Sequence, residues 1–589
     1  MASIPVIVKH QGKRHHVDLD PTSTGETFKY QLYSLTGVEP ERQKILVKGG
    51  QLKDNTDLST LAVKPGHTFM MMGTPSTEGN AIQPPKEKTR FLEDMTEAEA
   101  ARVEGAMPAG LQNLGNTCYL NSTLQTLKSV PELHKELQSY TSPAGGSSAA
   151  SSSSGFGDLS QFGLGGLGSS SDLTSSLRDL YKQMSETQEG FPPLMFLNAL
   201  RTIYPQFAQK SKTGHGYAQQ DAEEVYSQIV TTLRQKLKLK SPGHADLSFI
   251  DKYFAGKFES IIECDEPSAK ELGEEPAKSE EVFLKLNCHI TAHVNHLRDG
   301  ILAGLEEKIE KKSPTLDRDA VYTKKSKISR LPKYLTVHFV RFYWKKEAQK
   351  NAKIMRKVTF PHELDVVEFC TEEMKSMLIP VRDKVRNVRK EEEDVERARK
   401  RQKKMEKAAE ADKDRELKGK GPADAKKLSD DKKADKKINA VAGGTSSSAG
   451  PDTEMPDVTY KTDAEIEAER SASILAAKKE LATLINPELA ADEGANSSGL
   501  YELRSVITHQ GASADSGHYT SYVKKDGPLD PKTGKRGEAD GKWWWFNDEK
   551  VMEVDAEKIE TLSGGGESHS ALILLYRAID IPTVKELEE

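Results

Sequence analysis

Two residues that could share one chemical task, Cys118 and His518, stand in distant parts of this 589-residue chain, so the fold must bring them together. Apolar residues recur at helical spacing after Cys118, and Gly115 and Asn116 break regular structure before it. Thr117 is placed to act as the N-cap, which puts Cys118 in the first turn of a helix. Unpaired backbone N–H groups and the helix dipole in that turn predict a lowered thiol pKa and a thiolate nucleophile.

His518 is the candidate base, because it lies on an alternating segment, 517–523, that predicts a strand. A second strand-like run, 543–546, leads into Asn547 and Asp548. If the two strands pair, an amide or a carboxylate comes to lie beside the imidazole and fixes its tautomer and orientation. We therefore expect a helix that carries the nucleophile to face a sheet that carries the base.

The same arrangement would stabilise negative charge on a carbonyl oxygen. The backbone N–H of Cys118 and the side chain of Asn113 could both donate to the oxyanion that forms when a thiolate attacks a carbonyl. Each residue alone has an ordinary interpretation: a cysteine near a helix start is usually a buried small hydrophobe, and a lone histidine or a tryptophan run usually belongs to a core. Their conjunction favours acyl transfer to water.

These segments resemble one enzyme family. Residues 113–122, 517–523 and 543–548 are similar to the cysteine, histidine and Trp-x-x-Phe-Asn-Asp segments of the ubiquitin-specific proteases, which are papain-like cysteine peptidases that remove ubiquitin. Further segments match in the family's order, namely the Gln-Gln-Asp segment 217–224, Phe-x-Gly at 254–256, the central strand 331–342 and the closing strand 573–577. The resemblance covers most of residues 105–580.

The resemblance implies a role for each matched residue. The implied catalytic residues are Cys118 as nucleophile, His518 as base, Asn547 as the orienting residue with Asp548 in support, and Asn113 as oxyanion donor. Asp221 would hold the basic, extended tail of ubiquitin, and Gln220 and Tyr519 are the other residues expected to bind substrate.

Residues 1–75 predict a separate unit. Strand patterns at 4–8 and 16–20 flank a turn at Gly12, a helix follows a capping-box spacing at Ser23 and ends at Gly37, and more strand pattern follows at 43–47 and 68–72. The segment 37–54 resembles ubiquitin, which implies a β-grasp ubiquitin-like domain. Because the terminal Gly-Gly needed for conjugation is missing, we expect a docking module; a domain that merely aids folding is the alternative.

A ubiquitin-like domain followed by this catalytic domain is the arrangement of the proteasome-associated members of the family. The implied partners are ubiquitin and ubiquitinated proteins, together with the regulatory particle of the 26S proteasome. The resemblance also implies that the free enzyme is weakly active, because a loop at 509–517 and another after Phe342 would cover the cleft until a partner moves them.

Composition excludes several classes of function. A net charge of −6 argues against general nucleic-acid affinity, and no apolar run approaches membrane-spanning length. The chain begins without a signal-peptide pattern, and four cysteines in so long a chain are too few for a disulfide framework. We expect a soluble protein of the cytoplasm and nucleus that binds neither nucleic acid nor membrane.

No metal or other cofactor is expected. Many ubiquitin-specific proteases carry two Cys-x-x-Cys pairs that bind structural zinc, whereas Cys264, Cys288 and Cys370 are widely spaced here. Three histidines between positions 289 and 296 lie close to Cys288, but no second thiol or closing ligand pair accompanies them.

Three segments are predicted to link or interrupt the domains. Residues 76–104 form a polar linker, residues 142–176 a disordered Ser/Gly-rich insert, and residues 385–499 a charged, low-complexity insert. Within the last, the basic run 397–404 could serve nuclear targeting or nucleic-acid binding, although the flanking acids favour a solvated helical face.

The predicted fold class is α+β: an N-terminal β-grasp ubiquitin-like domain plus a papain-like catalytic domain. A helical lobe would carry Cys118 and a β-rich lobe would carry His518 and Asn547, with the active site between them. Two alternatives are a non-catalytic ubiquitin-binding scaffold and ligase-type thioester transfer. The complete set of nucleophile, base and orienting residue argues against both.

Overall fold

The computed structural model falls into two compact units, Met1–Met95 and Thr96–Glu589. It describes residues 3–47, 50–61, 63–73, 96–97, 106–141, 172–211, 216–239, 247–345, 350–417, 463–514, 516–527, 537, 539–583 and 587. The linker expected at 76–104 lies outside the described residues except for positions 96 and 97.

The first unit is a five-stranded sheet packed against one helix. Its elements are β1 Ile4–His10, β2 Lys13–Leu19, α1 Gly25–Thr36, β3 Lys44–Val47, β4 Gly50–Gln51 and β5 Thr68–Met72, with strand order β2-β1-β5-β3-β4. β1 and β5 are parallel and the other neighbours antiparallel, which is the predicted β-grasp arrangement. As predicted, α1 ends at Gly37, whose φ of 69° lies in the left-handed region that glycine adopts without strain.

A helical lobe begins the second unit. Its helices are α2 Cys118–Lys128, α3 Pro131–Ser139, α4 Leu173–Met184, α5 Leu194–Ile203, α6 Ala222–Lys236 and α7 Phe249–Tyr253. Leu120, Leu124 and Leu127 of α2 are fully buried in a core that also takes in Tyr519 and Leu572 from the neighbouring sheet. The periodic leucines that predicted α2 therefore fix it against the strand that carries the candidate base.

That large sheet has eight strands among the described residues. They are β8 Leu286–His289, β11 Tyr334–Val340, β14 Glu363–Asp365, β15 Leu500–Ser513, β16 Ser516–Lys524, β17 Trp543–Asn547, β18 Lys550–Val554 and β19 Ser570–Ala578. The order is β18-β17-β16-β15-β19-β11-β8, and β14 pairs with β15. The predicted pairing of β16 with β17 is confirmed, with Ser521 opposite Phe546. The helical and β-rich lobes establish the expected α+β class.

A smaller sheet extends from the same unit, with strand order β7-β6-β10-β9. Its strands are β6 Gly256–Cys264, β7 Ala277–Phe283, β9 Glu306–Lys312 and β10 Asp319–Arg330, accompanied by α8 Pro267–Glu271 and α9 Leu297–Leu305. A hairpin of β12 Phe342–Lys345 and β13 Lys350–Lys353 follows the central strand β11, and the short helix α13 Glu557–Glu560 precedes β19.

Parts of both predicted inserts, 142–176 and 385–499, are helical. Residues 142–171 lie outside the described residues, but the predicted disorder to 176 is wrong at its end, because Leu173 and Leu177 are buried and begin α4. The boundary at 385 falls inside a 46-residue helix, α10 Glu372–Leu417. Val381 and Val385 of α10 share a small core with Leu481 of the returning helix, α11 Asp463–Leu484.

Charge pairs reinforce this helical hairpin, which continues into the short helix α12 Pro487–Ala491. Lys384 pairs with Glu480 at 2.5 Å and Lys478 with Glu392 at 2.6 Å. Further along α10, the basic run begins with Arg397, which lies 3.0 Å from the Glu393 carboxylate one turn earlier. Arg397 thus lies on an exposed, charge-paired turn of the helix, as the flanking acids indicate.

None of the helices in the described part of the chain is both long and apolar enough to cross a membrane. Within the same residues, no three His, Cys, Asp or Glu side chains gather closely enough to hold a metal ion.

Candidate active site

Cys118 is the first residue of α2, where the helical pattern placed it, and it is 2% exposed. Thr117 occupies the N-cap position, but the predicted side-chain cap is wrong. Its hydroxyl instead accepts the backbone N–H of Leu114 at 2.9 Å and lies 3.3 Å from Asn113 Oδ1. Thr117 therefore stabilises the turn before the helix rather than the helix itself.

Burial raises the pKa of Cys118 to about 11, so the predicted lowering is wrong for this conformation. Desolvation of the sulfur is the largest cause, and the negative charge of Asp548 adds to it. Backbone N–H groups, first that of Tyr519 and then those of Tyr119 and Cys118, act in the opposite direction without overcoming it. The resting group is a thiol, and it must give up its proton during attack.

The base is oriented by one short hydrogen bond. His518 lies on β16, and its Nε2 is 2.6 Å from Oδ1 of Asn547 at the end of the adjacent strand β17. Because an amide oxygen only accepts, the imidazole hydrogen must sit on Nε2, which leaves the lone pair on Nδ1. The strand pairing inferred from sequence thus yields an imidazole in a single defined tautomer, with Nδ1 as the proton acceptor.

Asp548 connects the strand that carries the orienting residue to the helical lobe. Its Oδ1 accepts from Asn121 Nδ2 at 2.8 Å, and its Oδ2 accepts from Asn113 Nδ2 at 3.0 Å. The same Oδ2 lies 3.9 Å from Nε2 of His518, and the backbone carbonyl accepts the N–H of Leu111 at 3.0 Å. The backbone φ of Asp548 is 52°, in the left-handed region that few residues other than glycine adopt.

Asn113 is held by its own turn. Its Oδ1 accepts the backbone N–H groups of Gly115 at 3.0 Å and Thr117 at 3.1 Å, while Nδ2 gives one hydrogen to Asp548. One amide hydrogen remains, on an exposed side chain just before the nucleophile. This orientation is compatible with the oxyanion role, which stays a prediction.

The residues expected to bind substrate are arranged less uniformly. Gln220 and Asp221 lie partly exposed at the start of α6, where Asp221 Oδ1 caps the helix by accepting the N–H of Glu223 at 2.9 Å. Burial, followed by the charges of Glu223 and Glu224, raises the pKa of Asp221 to about 6. The role of Tyr519 needs correction, because its side chain is 1% exposed and belongs to the core; what it offers to the cleft is its backbone N–H.

Sequence reasoning missed Asn121, the only side chain among the described residues that donates to Oδ1 of Asp548. It lies three positions after Cys118 on α2 and is 2% exposed. Little signal was available in the sequence, because Asn121 is one of five polar residues buried on α2, together with Ser122, Thr123, Gln125 and Thr126.

Comparison with known proteins identifies both units. The ubiquitin carboxyl-terminal hydrolase family matches residues 109–576, and the ubiquitin family matches residues 6–76. Ubiquitin carboxyl-terminal hydrolase 6 of Schizosaccharomyces pombe is 40% identical over 578 residues, covering 98% of this chain and 99% of that protein. Ubiquitin carboxyl-terminal hydrolase 7 of Arabidopsis thaliana is 37% identical with the same coverage. Ubiquitin carboxyl-terminal hydrolase 14 of Caenorhabditis elegans is 31% identical over 99% of this chain and 95% of its own.

Replacing the nucleophile should abolish turnover without loss of substrate binding. Cys118→Ala removes one atom rather than a surface, so we expect hydrolysis of ubiquitin C-terminal amides to fall by about 10³-fold or more while ubiquitin affinity stays nearly unchanged. His518→Ala should lose almost as much, since members of such a set act as a unit. Steady-state kinetics and calorimetric titration measure the two quantities. Retained turnover in the Cys118 variant would refute the assignment.

The orienting residue should be less critical than the base. Asn547→Ala removes the acceptor for the N–H of His518 Nε2. Oδ2 of Asp548 lies 3.9 Å from the same Nε2 and can partly replace that acceptor. We expect kcat of Asn547→Ala to fall by roughly 10- to 100-fold, which is a smaller loss than for His518→Ala. In the double variant, with Asn547 and Asp548 both replaced by Ala, kcat should fall further. If Asp548→Ala alone is more damaging than Asn547→Ala, the orienting role belongs to Asp548.

The buried thiol predicts the pH dependence of alkylation. Because the pKa of Cys118 is raised to about 11, the rate of iodoacetamide labelling should climb steadily from pH 6.5 to 9.5 without a plateau. Mass spectrometry of the Cys118 peptide gives the rate, with Cys118→Ala as the blank. A rate already constant below pH 7 would indicate a preformed thiolate and contradict the resting state described above.

Proposed function

The chain belongs to the ubiquitin carboxyl-terminal hydrolase family, and we propose that it hydrolyses the bond after the C-terminal glycine of ubiquitin while docked on the proteasome through its ubiquitin-like domain. It is a cysteine-type deubiquitinase. The observation that carries the chemistry is the 2.6 Å contact between Nε2 of His518 and Oδ1 of Asn547. His518 lies on β16, the same strand whose Tyr519 backbone N–H donates to the sulfur of Cys118.

The proposed reaction follows from these contacts. His518 Nδ1 takes the thiol proton as the sulfur of Cys118 attacks the glycine carbonyl carbon. The backbone N–H of Cys118 and the remaining amide hydrogen of Asn113 stabilise the oxyanion. The lysine amine then leaves with the proton from His518, and water, activated by the same imidazole, hydrolyses the thioester. No step requires a group from outside the chain other than water.

Acidic residues at the start of α6 support recognition of a basic tail. Lys285 forms an ion pair with Glu223, which neutralises one carboxylate of the group. Asp221 and Glu224 have raised pKa values, chiefly because they are partly buried. An arginine of the ubiquitin tail would supply the missing positive charge and favour the ionised carboxylates.

One face of the ubiquitin-like sheet supports the docking role. Leu46, Met70 and Met72 are 46%, 54% and 51% exposed, whereas the alternating residues Phe69 and Met71 are buried. Leu46 pairs directly with Met70 across β3 and β5, so these side chains form one apolar strip. A small domain exposes such a strip where it binds another protein, and we assign it as the docking face.

Two loops beside the cleft support control by the partner. The hairpin β12–β13 exposes Tyr343 and Trp344, and the strand β15 leads into the loop before His518. Lys353 Nζ of the hairpin donates to the carbonyl of His509 on β15 at 2.7 Å, which links the two loops through a buried contact. A partner can activate only by binding the open arrangement more tightly than the closed one.

The competing scaffold function makes a different prediction for covalent labelling. A ubiquitin probe with an electrophilic C-terminus should form a covalent adduct with the wild-type chain and none with Cys118→Ala. A scaffold would bind the probe reversibly in both proteins.

Docking and activation should be separable through the sheet face. Met70→Glu places a charge on the apolar strip, so we expect weaker proteasome recruitment and lower activity at dilute proteasome, with basal hydrolysis unchanged. Removal of residues 1–75 should have the same effect. Tyr30→Glu is the matched control, because Tyr30 is 57% exposed on α1 of the same domain, away from the strip.

Co-sedimentation and hydrolysis of a fluorogenic ubiquitin amide, with and without added proteasome, measure these effects. Equal losses for Met70→Glu and Tyr30→Glu would exclude the strip as the docking face. If the purified enzyme already works at full rate and proteasome changes nothing, the control by the loops is refuted while the hydrolase function stands.

A further inference from the structure

Asn121 lies at a point where three acceptors converge. Its Nδ2 is 3.1 Å from the carbonyl of Leu111, 3.2 Å from that of Gln112 and 2.8 Å from Oδ1 of Asp548. Since all three groups accept hydrogens, only the amide nitrogen can face them, and its orientation has no alternative. Both amide hydrogens are therefore committed to the segment before Cys118 and to Asp548.

The contact with Asp548 is dry and charge-assisted. Asn121 is 2% exposed and the Asp548 side chain 12% exposed, so little water can compete for the carboxylate. Oδ1 is fixed by Asn121, which leaves Oδ2 facing both Asn113 Nδ2 and His518 Nε2. Hydrogen bonds to an ionised acceptor in such surroundings are the stronger kind. Without Asn121, the carboxylate can rotate and Oδ2 loses its fixed position.

We propose that Asn121 is a positioning residue for the hydrolysis, which acts by holding the Asp548 carboxylate against Asn113 and His518. It touches neither substrate nor nucleophile in this role. Through Asp548, Asn121 fixes the orientation of the Asn113 amide that is to stabilise the oxyanion. It also fixes the position of the negative charge beside the His518 imidazole. The proposal rests on the proposed functions of Asp548 and Asn113.

A purely structural role is the alternative, since Asn121 also braces α2 against the segment that precedes it. Gln125 provides a matched comparison. It lies one turn later on α2, is 3% exposed, and donates through Nε2 to the carbonyl of Ala109 at 2.8 Å. Both residues are buried amides that join α2 to the same segment, but only Asn121 contacts Asp548. Loss of Gln125 therefore removes a brace and leaves the carboxylate in place.

The first experiment compares Asn121→Ala with Gln125→Ala in the full-length enzyme, using a fluorogenic ubiquitin amide. We expect Asn121→Ala to lower kcat by roughly 10- to 100-fold with KM within about twofold, because misplacement of catalytic groups affects the transition state and not substrate binding. Gln125→Ala should change kcat by less than about threefold. Melting curves monitor folding; if Asn121→Ala is unstable, Asn121→Ser, which leaves a smaller void, takes its place.

A double-mutant cycle and a pH profile then test the route of action. If Asn121 acts through Asp548, adding Asn121→Ala to Asp548→Ala should cost little beyond Asp548→Ala alone. In Asn121→Asp, the introduced carboxyl repels Asp548 when ionised and donates to it when protonated. The ratio of its kcat to that of wild type should therefore rise as pH falls from 8 to 6, and this rise should disappear in the Asp548→Ala background, whereas a purely structural role predicts that it remains.

Three outcomes would overturn the proposal. Gln125→Ala and Asn121→Ala could lower kcat equally, or the losses in kcat from Asn121→Ala and Asp548→Ala could multiply in the double variant. The third is a kcat ratio of Asn121→Asp to wild type that does not change with pH. A failure of the proposed reaction would be recognised separately, because the wild-type chain would then form no adduct with the electrophilic ubiquitin probe.

Discussion

The geometry of the active site depends on the hydrogen bonds that the Asp548 carboxylate accepts. It follows the strand that carries Asn547, yet its two oxygens accept from Asn121 and Asn113 of the helical lobe. A charged acceptor with so little exposure is costly to bury, and the two amides offset that cost. These two hydrogen bonds cross between the lobes and add to the core packing that holds α2 against β16.

Local patterns were sufficient to predict the elements that carry the chemistry. The leucine spacing predicted α2 with Cys118 at its start, and strand alternation predicted β16 and β17 as neighbours that bring Asn547 to His518. These inferences succeeded because each depends on residues close together in the chain. The ubiquitin-like domain was predictable for the same reason, since its turn and cap glycines mark the ends of its elements.

The errors have different causes, because nearby competing partners account for Thr117 whereas burial accounts for the thiol pKa and for Tyr519. Thr117 has the right position for a cap, but Asn113 and Leu114 offer its hydroxyl other partners. The pKa of the Cys118 thiol depends on how completely the folded chain buries the sulfur, and that desolvation exceeds the effect of the backbone N–H groups around it. Tyr519 follows the base directly, yet strand alternation turns its side chain into the core, so only its backbone is available. The alternation that predicted β16 thus also places the Tyr519 side chain opposite that of His518, whereas the burial of the thiol is not encoded in spacing.

The covered sulfur of Cys118 also affects how the enzyme meets oxidants. Peroxide reacts with thiolates far faster than with thiols, and sulfenic acid is the first step toward irreversible oxidation. A protonated sulfur with 2% exposure offers peroxide neither charge nor access. The burial that keeps Cys118 protonated therefore also shields the nucleophile from oxidation between turnovers.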